Sequence, residues 1–419
     1  MKKFGKKNNN EIMKIKTALI FGGKSAEHDI SIISAIQALN NLPADKYDAY
    51  PIYIAKSGEM YCGEGVGKIE SYRDIPALLE RSERVALIRQ GGKVRLVRLG
   101  VPPKKAEIAC IDVAIPVVHG TNVEDGTLQG HLRLLDLPFT GCDVTASAVG
   151  MDKYISKIIL RECGIPVLDC IRLSTEEYRQ SEEKTISTVE EKIGYPVIVK
   201  PINCGSSIGI SKAEDRDELC EALTEAFTYA ESIIVERAVT SLREINCSVL
   251  GDTDSAEASE CEEPVSADKI LSFKDKYLSG GGSKGGSKGG AKTDGASEGM
   301  ASLKRIIPAP IDEDMRSEIR EMAVKIFKSL GCSGVARIDF LYDSEENKVY
   351  FNEINTIPGS LSFYLWEPLG VKYPQLLDRM VSVALRRHRR ESALTYSFES
   401  SVLSGISLSG AKGAKGSKL

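Results

Sequence analysis

The sequence predicts an α/β protein in which a doubly wound N-terminal domain is followed by an α+β part. Three stretches predict this: a strand–glycine–helix unit beginning at Ile15, a strand–loop–strand unit around Lys200, and a hairpin within Gly334–Glu367. Strand, glycine turn and helix form the repeating unit of doubly wound sheets, whereas hairpins require antiparallel strands. A chain of 419 residues is long enough for two or three such domains.

Composition narrows the functional class. The formal net charge of −4 gives no electrostatic reason to expect a nucleic-acid partner. No apolar run approaches the roughly 20 residues that span a bilayer, so no membrane association is expected. Residues 1–13 lack the apolar segment of a secretion signal and are expected to be a disordered extension. The ten cysteines form no C-x-x-C pair, which disfavours zinc or a disulfide framework and indicates a reducing, cytoplasmic setting.

The N-terminal unit begins with a buried strand, Ile15–Phe21, that ends in two glycines and precedes a helix. The predicted apolar stripe of this helix is Ile30, Ile33, Ile36 and Leu39. Glu27 stands in the turn, where a ligand would approach, although such a glutamate is commonly just exposed. A nicotinamide-binding fold is the obvious rival, but the G-x-G-x-x-G fingerprint is absent.

Four further strands are predicted before the N-terminal domain ends at residue 142, at Tyr47–Ile54, Val85–Ile88, Val94–Val97 and Val113–Val118. The last strand runs into His119, which either takes part in a site or only fixes the loop. A helix through Leu128–Leu135 follows.

The domain at 143–390 is predicted to begin with one helix, Thr145–Cys163, that carries Lys153. A buried strand, Tyr195–Pro201, then delivers Lys200 at its end, followed by a glycine- and serine-rich loop and a strand at Ile208–Lys212. Backbone N–H groups, hydroxyls and one cation in this arrangement can cover a triphosphate. It is not a P-loop, because GK[ST] is missing and a strand follows. A flexible hairpin without a ligand is the alternative.

Further helices and strands are predicted in the rest of this domain. A helix at Asp217–Tyr229 and strands at Ser232–Val239 and Arg243–Leu250 precede Asp252–Glu263, which is expected to be an acidic surface loop. The insertion at 279–300 contains Gly280–Gly290, which has the composition of a flexible linker but lies where a lid is also plausible. A helix follows, capped by Asp312 and ended by Gly331. After the terminal helix Tyr373–Arg390, residues 391–419 are expected to be a disordered tail.

The hairpin is the most informative stretch. If Asp339 pairs with Glu353, strand alternation places Arg337, Asp339, Glu353 and Asn355 on one face. The opposite face would carry a core of Ala336, Ile338, Phe340, Tyr350 and Ile354. Oxygen ligands beside one guanidinium make a plausible magnesium site. The alternative is a solvated face with a surface ion pair; the sharp Asn-Thr-Ile-Pro-Gly bend after the second strand favours the site.

Taken together, these pieces resemble the ATP-grasp enzymes, and most closely the D-alanine–D-alanine ligase family. The resemblance runs from about Lys14 to Arg387, without the insertion and both ends. It rests on six segments in family order: GGKSAEHDIS, HGTNVEDGTLQG, MDKYISK, PVIVKPINCGSSIG, DKYLS and RIDF…FNEINTIPG. It implies a Rossmann-like pre-ATP-grasp domain at 14–142, an ATP-grasp domain with subdomains at about 143–240 and 241–390, and a homodimer.

The resemblance also implies roles for individual residues. Contacts to ATP as co-substrate would come from Lys153, Lys200, Gly205, Ser207, Glu236, Arg237, Val239, Glu244 and Lys276. Asp339, Glu353 and Asn355 would hold two Mg²⁺ ions, for which Mn²⁺ could substitute. Glu27 and His119 would line the first D-alanine site, and Ser206 and Tyr277 would position substrate. Arg337 and the N–H of Gly359 would stabilise an oxyanion.

Three functions remain open. The first is ATP-dependent joining of two D-alanines through an acyl phosphate for peptidoglycan synthesis. The second is a D-Ala-D-Ser ligase of the vancomycin-resistance type, because Tyr364 stands where other members carry a small serine. The third is a non-catalytic nucleotide-binding protein, which the complete set of Lys153, Lys200, Asp339, Glu353 and Asn355 disfavours.

Overall fold

The computed structural model describes residues 13–205, 208–265 and 305–397. Ser206, Ser207, Lys276, Tyr277 and the predicted insertion at 279–300 lie outside the described residues, as do most of the two predicted disordered ends. Contacts group the chain into two units, Met1–Leu385 and Arg386–Leu419. No helix of the described part is long and apolar enough to cross a membrane.

The first sheet confirms the predicted α/β N-terminal part. Its seven strands lie in the order β6-β5-β4-β3-β2-β1-β7, and only β1 pairs in parallel, with β2 and β7. The strands are β1 Ile15–Gly22, β2 Tyr47–Ile54, β3 Met60–Cys62, β4 Glu83–Gln90, β5 Lys93–Arg98, β6 Glu107–Ile111 and β7 Val113–Val117. The short β3 and β6 were not predicted, and they make this edge of the sheet antiparallel.

The helices of this part are α1 His28–Asn41, α2 Ile75–Arg81, α3 Pro103–Ala106 and α4 Thr127–Leu134. The predicted stripe of α1 was wrong at Ile30 and Ile33, because the helix buries Ile32 and Ala35 instead. Ile36 is buried as predicted, and Leu39 packs against the core. The helix is turned so that Ser31 also faces the sheet. Its Oγ accepts from the N–H of Gly22 at 2.7 Å and donates to the carbonyl of Val117 at 2.6 Å.

The second sheet has four antiparallel strands in the order β10-β9-β11-β8. Its strands are β8 Cys170–Ser174, β9 Val197–Pro201, β10 Ser211–Ala213 and β11 Ser232–Arg237, and its helices are α7 Thr175–Gln180, α8 Glu182–Lys192 and α9 Arg216–Tyr229. The predicted single helix at Thr145–Cys163 was wrong. The chain forms α5 Val144–Met151 and α6 Lys153–Glu162, because Asp152 leaves the helical conformation and its carboxylate caps the N–H groups of Tyr154 and Ile155.

The third sheet has five antiparallel strands in the order β14-β13-β12-β15-β16. They are β12 Leu242–Gly251, β13 Ala256–Pro264, β14 Arg305–Ile306, β15 Gly334–Asp343 and β16 Lys348–Asn355. Helix α10, Glu313–Ser329, begins at the predicted cap Asp312, whose carboxylate accepts from the N–H of Met315. The last helix is α11, Tyr373–Ser392.

The predicted acidic loop at Asp252–Glu263 was wrong, because most of it forms β13. Each of its last three glutamates meets an arginine from elsewhere in the chain, at 2.7 to 3.2 Å. These pairs are Glu260–Arg316, Glu262–Arg305 and Glu263–Arg243. The arginines therefore neutralise the glutamates of a stretch that the sequence alone predicts to be a solvated loop.

The predicted register of the β15–β16 hairpin is confirmed. Asp339 pairs with Glu353, and Arg337 pairs with Asn355. A bulge then follows, so that Phe340 pairs with Phe351 and Asn352 is the extra residue. The bulge reverses the alternation: Phe351 enters the core in place of Tyr350, which was wrongly predicted there.

Candidate active site

A cavity of about 560 Å³ is lined by residues of the second and third sheets and of their connecting loops. Residues predicted to bind ATP or metal come together in its wall: Lys200, Glu236, Arg237, Val239, Glu244, Asp339 and Glu353. Strand β9 delivers Lys200, β11 delivers Glu236, and the β15–β16 hairpin delivers the two other acids. The register of the hairpin thus places carboxylates opposite a lysine of a different sheet.

A buried cluster of charges stands at one wall of this cavity. Glu236 forms ion pairs with Lys200 and with Lys157, the latter at 2.8 Å, and its side chain is only 1% exposed. Lys200 also donates to Oδ1 of the bulge residue Asn352 at 3.0 Å. Burial raises the pKa of Glu236, but the two lysines outweigh it and lower that pKa to about 2. The cluster therefore carries an excess positive charge, which suits an anionic ligand.

Lys153 connects the loop after β9 with the hairpin. Its Nζ donates to the carbonyl of Cys204 at 2.7 Å and lies 3.2 Å from Oε2 of Glu353. Its position at the first turn of α6 follows from the break at Asp152, because a continuous helix would place Lys153 in a helix interior. From this first turn, Lys153 reaches Glu353 in the cavity wall.

Arg337 and Asp339 form a buried bidentate pair. The guanidinium donates from Nε and Nη2 to the two carboxylate oxygens at 2.6 and 2.7 Å. Asn355 also donates from Nδ2 to Oδ2 of Asp339, at 3.0 Å. Burial lowers the pKa of Arg337, whereas Asp339 raises it and keeps it well above its ordinary value. Arg337 is consequently a fixed positive charge.

His119 joins the first sheet to the turn after β16. Its Nδ1 lies 2.8 Å from the carbonyl of Ile357, and its Nε2 lies 3.1 Å from Oγ of Ser34. Ser34 Oγ accepts from the N–H of Ser360 at 2.9 Å. The network is satisfied when Nδ1 donates and Nε2 accepts. Burial lowers the pKa of His119 to about 4, so the imidazole is neutral at physiological pH.

Glu27 lies against two glycines that come from different loops. A Cβ on Gly205 would stand 2.6 Å from Oε2 of Glu27, and one on Gly120 would stand 3.0 Å from the same atom. Gly120 also has a φ of +82°, which disfavours any side chain there. Glycine at both positions therefore leaves room for the Glu27 carboxylate beside His119.

Two further predicted residues are Arg237, in the cavity wall, and Gly359, which follows the hairpin. The N–H of Arg237 donates to the carbonyl of Asp169 at 3.2 Å, and its guanidinium stands 5.9 Å from the ring centroid of Tyr350. Gly359 begins the 3₁₀ turn Gly359–Leu365, directly after the bend.

The donor set on the hairpin fits a divalent cation. Asp339 and Glu353 offer carboxylate oxygens and Asn355 an amide oxygen, the hard ligands that Mg²⁺ prefers. In the described part of the chain, no three or more histidine, cysteine, aspartate or glutamate side chains gather as a metal site by themselves. The carboxylates and the amide suit a divalent cation. The excess positive charge nearby suits the phosphate groups of a ligand that would arrive with it.

Sequence reasoning assigned no role to Lys157, Asn352, Ser34 and Glu124. Glu124 accepts from the N–H of Gly120 at 3.0 Å, from the N–H of Ile357 at 2.9 Å and from Oγ1 of Thr356 at 3.2 Å. The sequence signal for Lys157 is its spacing of four residues from Lys153, which places both on one face of α6. The contacts of Ser34 with His119 and of Glu124 with Ile357 join residues more than 80 positions apart, so local pattern does not reveal them.

Comparison with known proteins gives the same family for both halves. The model for the D-ala D-ala ligase N-terminus matches residues 16–142, and that for the D-ala D-ala ligase C-terminus matches residues 159–382. The D-alanine–D-alanine ligase of Acetivibrio thermocellus is 39% identical over 388 residues, covering 90% of this chain and 97% of the relative.

Two solved structures are similar as well. The D-alanine-D-alanine ligase from Coxiella burnetii has a TM-score of 0.72 and 30% identity, covering 90% of this chain and 96% of that one. The VanG D-Ala:D-Ser ligase from Enterococcus faecalis has the same TM-score and identity, covering 89% and 100%. On the strength of both family models and this coverage, the chain belongs to the D-alanine–D-alanine ligase family.

Proposed function

We propose that the protein joins two D-alanine molecules into D-alanyl-D-alanine at the expense of ATP, through an acyl phosphate. The observation that carries the proposal is the meeting of Lys200, Glu236, Asp339 and Glu353 in one cavity, with Lys153 paired to Glu353. Lysines from helix α6 and from the second sheet, together with carboxylates from the second and third sheets, suit the transfer of a phosphoryl group. We infer that the enzyme works in the cytoplasm, where ATP is available, as a homodimer.

In this proposal the nucleotide occupies the cavity between the second and third sheets. Lys153 and Lys200 contact the phosphates, where the excess positive charge of the Lys157–Glu236–Lys200 cluster is neutralised. Glu244 and Glu236 lie on the side of the ribose and adenine, with the backbone of Arg237 and Val239 at the base. Gly205 belongs to the loop over the phosphates, and Ser207 and Lys276 complete the set predicted from sequence.

Asp339, Glu353 and Asn355 are proposed to hold two Mg²⁺ ions, with Mn²⁺ as a substitute. When bound, the metal supplies charge neutralisation to the phosphate oxygens. Asp339 is paired with Arg337 and Glu353 with Lys153, so each carboxylate is already held in place by a cation of this chain.

The first D-alanine is proposed to lie beside Glu27 and His119, with Ser206 and Tyr277 also positioning substrate. Both ring nitrogens of His119 are engaged, with Ile357 and Ser34, so its role is to fix the loop and not to transfer a proton. The carboxylate of this D-alanine attacks the γ-phosphorus and releases ADP. The amine of the second D-alanine then attacks the acyl carbon, and phosphate leaves.

Arg337 and the N–H of Gly359 are proposed to stabilise the negative charge that develops on the carbonyl oxygen during the second step. The bidentate pair with Asp339 fixes the orientation of Arg337 before substrate arrives. A donor held in place in a buried site costs no reorganisation at the moment of reaction.

A D-Ala-D-Ser ligase is the second candidate. The VanG D-Ala:D-Ser ligase is as similar in structure as the first solved ligase, and Tyr364 is a large residue near Arg337. Its side chain would bound the space that the second amino acid enters.

The deciding experiment measures phosphate release from ATP and Mg²⁺ with D-alanine alone, then with D-alanine together with D-serine or D-lactate. Mass spectrometry identifies the product, and removal of metal with EDTA is expected to stop release. Release with D-alanine alone and a D-Ala-D-Ala mass supports the main proposal. A strong preference for the mixed pair supports the second, and no release with any D-amino acid contradicts both.

A further inference from the structure

Two consecutive residues of β16 contact the two lysines that are proposed to bind phosphate. Asn352 and Glu353 both line the cavity between the second and third sheets. Oδ1 of Asn352 accepts from Nζ of Lys200 at 3.0 Å, and Oε2 of Glu353 lies 3.2 Å from Nζ of Lys153. Neighbouring positions of one strand therefore hold cations that come from β9 and from α6.

The bulge in the β15–β16 hairpin makes this arrangement possible. In a regular strand, successive side chains point to opposite faces, so only one of the two residues would reach the cavity. Here Asp339 pairs with Glu353 and Phe340 pairs with Phe351, which leaves Asn352 as the extra residue. A bulge of this kind re-aims a side chain and is common beside active sites. It places Asn352 in the cavity wall together with Glu353.

Lys200 is only 5% exposed, and its ammonium lies between two acceptors from different sheets. Glu236 of β11 forms an ion pair with it, and Asn352 of β16 accepts its hydrogen bond. An ammonium has three N–H donors and no acceptor, so the amide must present its oxygen to Lys200. Among the contacts that the described residues make, two donors of Lys200 are engaged, and the third is left for a phosphate oxygen.

The amide of Asn352 differs from a carboxylate in the charge that it brings. Lys157, Glu236 and Lys200 together carry one net positive charge, from two ammonium groups and one carboxylate. Asparagine accepts from Lys200 and leaves that charge in place. Aspartate could accept the same hydrogen bond, but its charge would cancel the excess and repel an anionic ligand. The residue type therefore suits a site that holds a cation and still attracts phosphate.

We propose that Asn352 is a positioning residue for Lys200: its amide oxygen fixes the ammonium at the cavity wall without neutralising it, so that the charge remains available to the phosphates of the nucleotide. The bulge supplies this residue to the cavity beside Glu353. The inference rests on the proposed function, because it deepens the role given there to Lys200.

The test compares two variants of Asn352 with one matched control. Asn352→Ala removes the acceptor, whereas the nearly isosteric Asn352→Asp keeps an acceptor and adds a negative charge. The control is Asn347→Asp, in the exposed turn of the same hairpin, where the side chain accepts from the hydroxyl of Tyr342 at 2.8 Å. Aspartate keeps an acceptor there and tolerates the φ of +52°.

The measurements are the Kd for ADP and the Kd for adenosine, by titration calorimetry in EDTA, and the midpoint of urea unfolding. EDTA ensures that a new carboxylate beside Glu353 cannot act by binding metal. Adenosine lacks phosphates, so it reports whether a variant has changed the nucleoside end of the cavity. A role in the fold alone would weaken the binding of both ligands together.

We expect Asn352→Ala to raise the Kd for ADP about 5-fold and Asn352→Asp to raise it about 10-fold or more, because only the second cancels the excess charge. The Kd for adenosine should stay within about twofold in both variants. Asn347→Asp should match the wild type for both ligands.

Wild-type affinity for ADP in Asn352→Asp would overturn the proposal, because the charge at this position would then not matter. An equal loss of adenosine affinity would overturn it as well, since it indicates a structural role. A loss of ADP affinity in Asn347→Asp would have the same meaning, because any acid on the hairpin would then act alike. If Asn352→Ala does not fold, Asn352→Asp alone decides.

Failure of this inference is distinguishable from failure of the proposed function. If the wild type binds ADP but releases no phosphate with any D-amino acid, the ligase activity fails, and ADP binding still tests Asn352. If the wild type makes a dipeptide while both Asn352 variants bind ADP like the Asn347→Asp control, only the positioning role is overturned. If the wild type does not bind ADP, both fail.

Discussion

The carboxylate of Glu124 accepts a hydrogen bond at 2.9 Å from the backbone N–H of Ile357, which lies 233 positions further along the chain. The same oxygen accepts from Oγ1 of Thr356, and the other oxygen accepts from Gly120. One side chain therefore fastens the loop of His119 to the turn that carries Gly359. Any change in its charge acts on both loops.

The stability of the protein should depend on the ionisation of Glu124. Burial, and then the charge of Glu27, raise its pKa from 4.5 to about 7. Between these values the unfolded chain has lost the proton that the folded chain keeps, so stability falls as pH rises, by at most about 1.4 kcal/mol per pH unit. Urea unfolding of wild type and Glu124→Gln at several pH values measures this. The difference between the two curves should change from pH 4.5 to 7, and parallel curves would refute the assignment.

The ionisation of His119 changes stability with pH in the opposite direction. The comparison of wild type with Glu124→Gln is needed for this reason. Burial lowers the pKa of His119 from 6.5 to about 4, so its contribution is complete above pH 6.5 and is lost as pH falls towards 4. Between pH 4.5 and 6.5 the two groups partly cancel in the wild type. A flat wild-type curve in that interval is consistent with both.

Replacing Arg337 by lysine should reduce turnover and leave ATP binding intact. Lysine keeps the charge but cannot make the bidentate contact with Asp339. A loss of about 10²–10³ in kcat is expected for one misplaced donor. Steady-state kinetics with ATP and with D-alanine as the varied substrate separate the two effects. An equal loss of ATP binding would argue against the proposed role at the carbonyl oxygen.

The ion pairs of Glu236 with two lysines predict that Glu236→Gln is less stable than Lys157→Met. Glu236→Gln leaves Lys157 and Lys200 buried together without a counter-charge, which typically costs about 3–5 kcal/mol. Lys157→Met leaves the pair of Lys200 and Glu236 and should cost less.

Urea unfolding near pH 7 gives both values, and Arg216→Met serves as a control. Arg216 forms an exposed pair with Glu183 at 2.9 Å, and its loss should change stability by less than about 1 kcal/mol. If Lys157→Met is the more destabilising of the two buried variants, the central role of Glu236 is wrong.

Gly205→Ala should impair catalysis without unfolding the protein. The added Cβ would meet Oε2 of Glu27 at 2.6 Å. Because the flexible end of that side chain can move away, the substitution is expected to displace the Glu27 carboxylate and leave the fold intact. A displacement of about 1 Å can lower the rate about 10²-fold. Gly130→Ala is the matched control, because no atom lies within 4 Å of its added Cβ. In α4 this control should stabilise the protein by about 0.5–1 kcal/mol. Full activity in Gly205→Ala would contradict the placement of Glu27.

The sequence predicted best what local pattern controls. Strand alternation and the polar turn were enough to pair Asp339 with Glu353, because both lie within one hairpin. The same rule failed for Tyr350, because nothing in the local pattern predicts the bulge at the extra residue Asn352. The break at Asp152 was also missed, because a helical pattern of apolar residues continues across it.

Ion pairs between residues far apart in the chain could not be predicted from local sequence pattern. Glu260, Glu262 and Glu263 indicated a solvated loop, and their arginine partners are 20 to 56 positions away. The same holds for Ser34, an ordinary helical serine until Ser360 and His119 reach it from elsewhere in the chain. Motif resemblance named the residues of the candidate site, and the fold adds the contacts that support them.

The turn from Ser360 to Ser362 has three consecutive non-glycine residues in the left-handed region, with φ of 51°, 52° and 50°. Each such residue costs roughly 1–2 kcal/mol. Two contacts from α1 hold the turn: the N–H of Ser360 donates to Ser34, and its hydroxyl donates to Gln37 at 2.6 Å. A C-terminal half acquired by recombination would bring the hairpin but not the helix that keeps this turn wound. A chimaera that takes α1 from another parent is therefore expected to lose stability unless that helix keeps the acceptors that Ser34 and Gln37 supply.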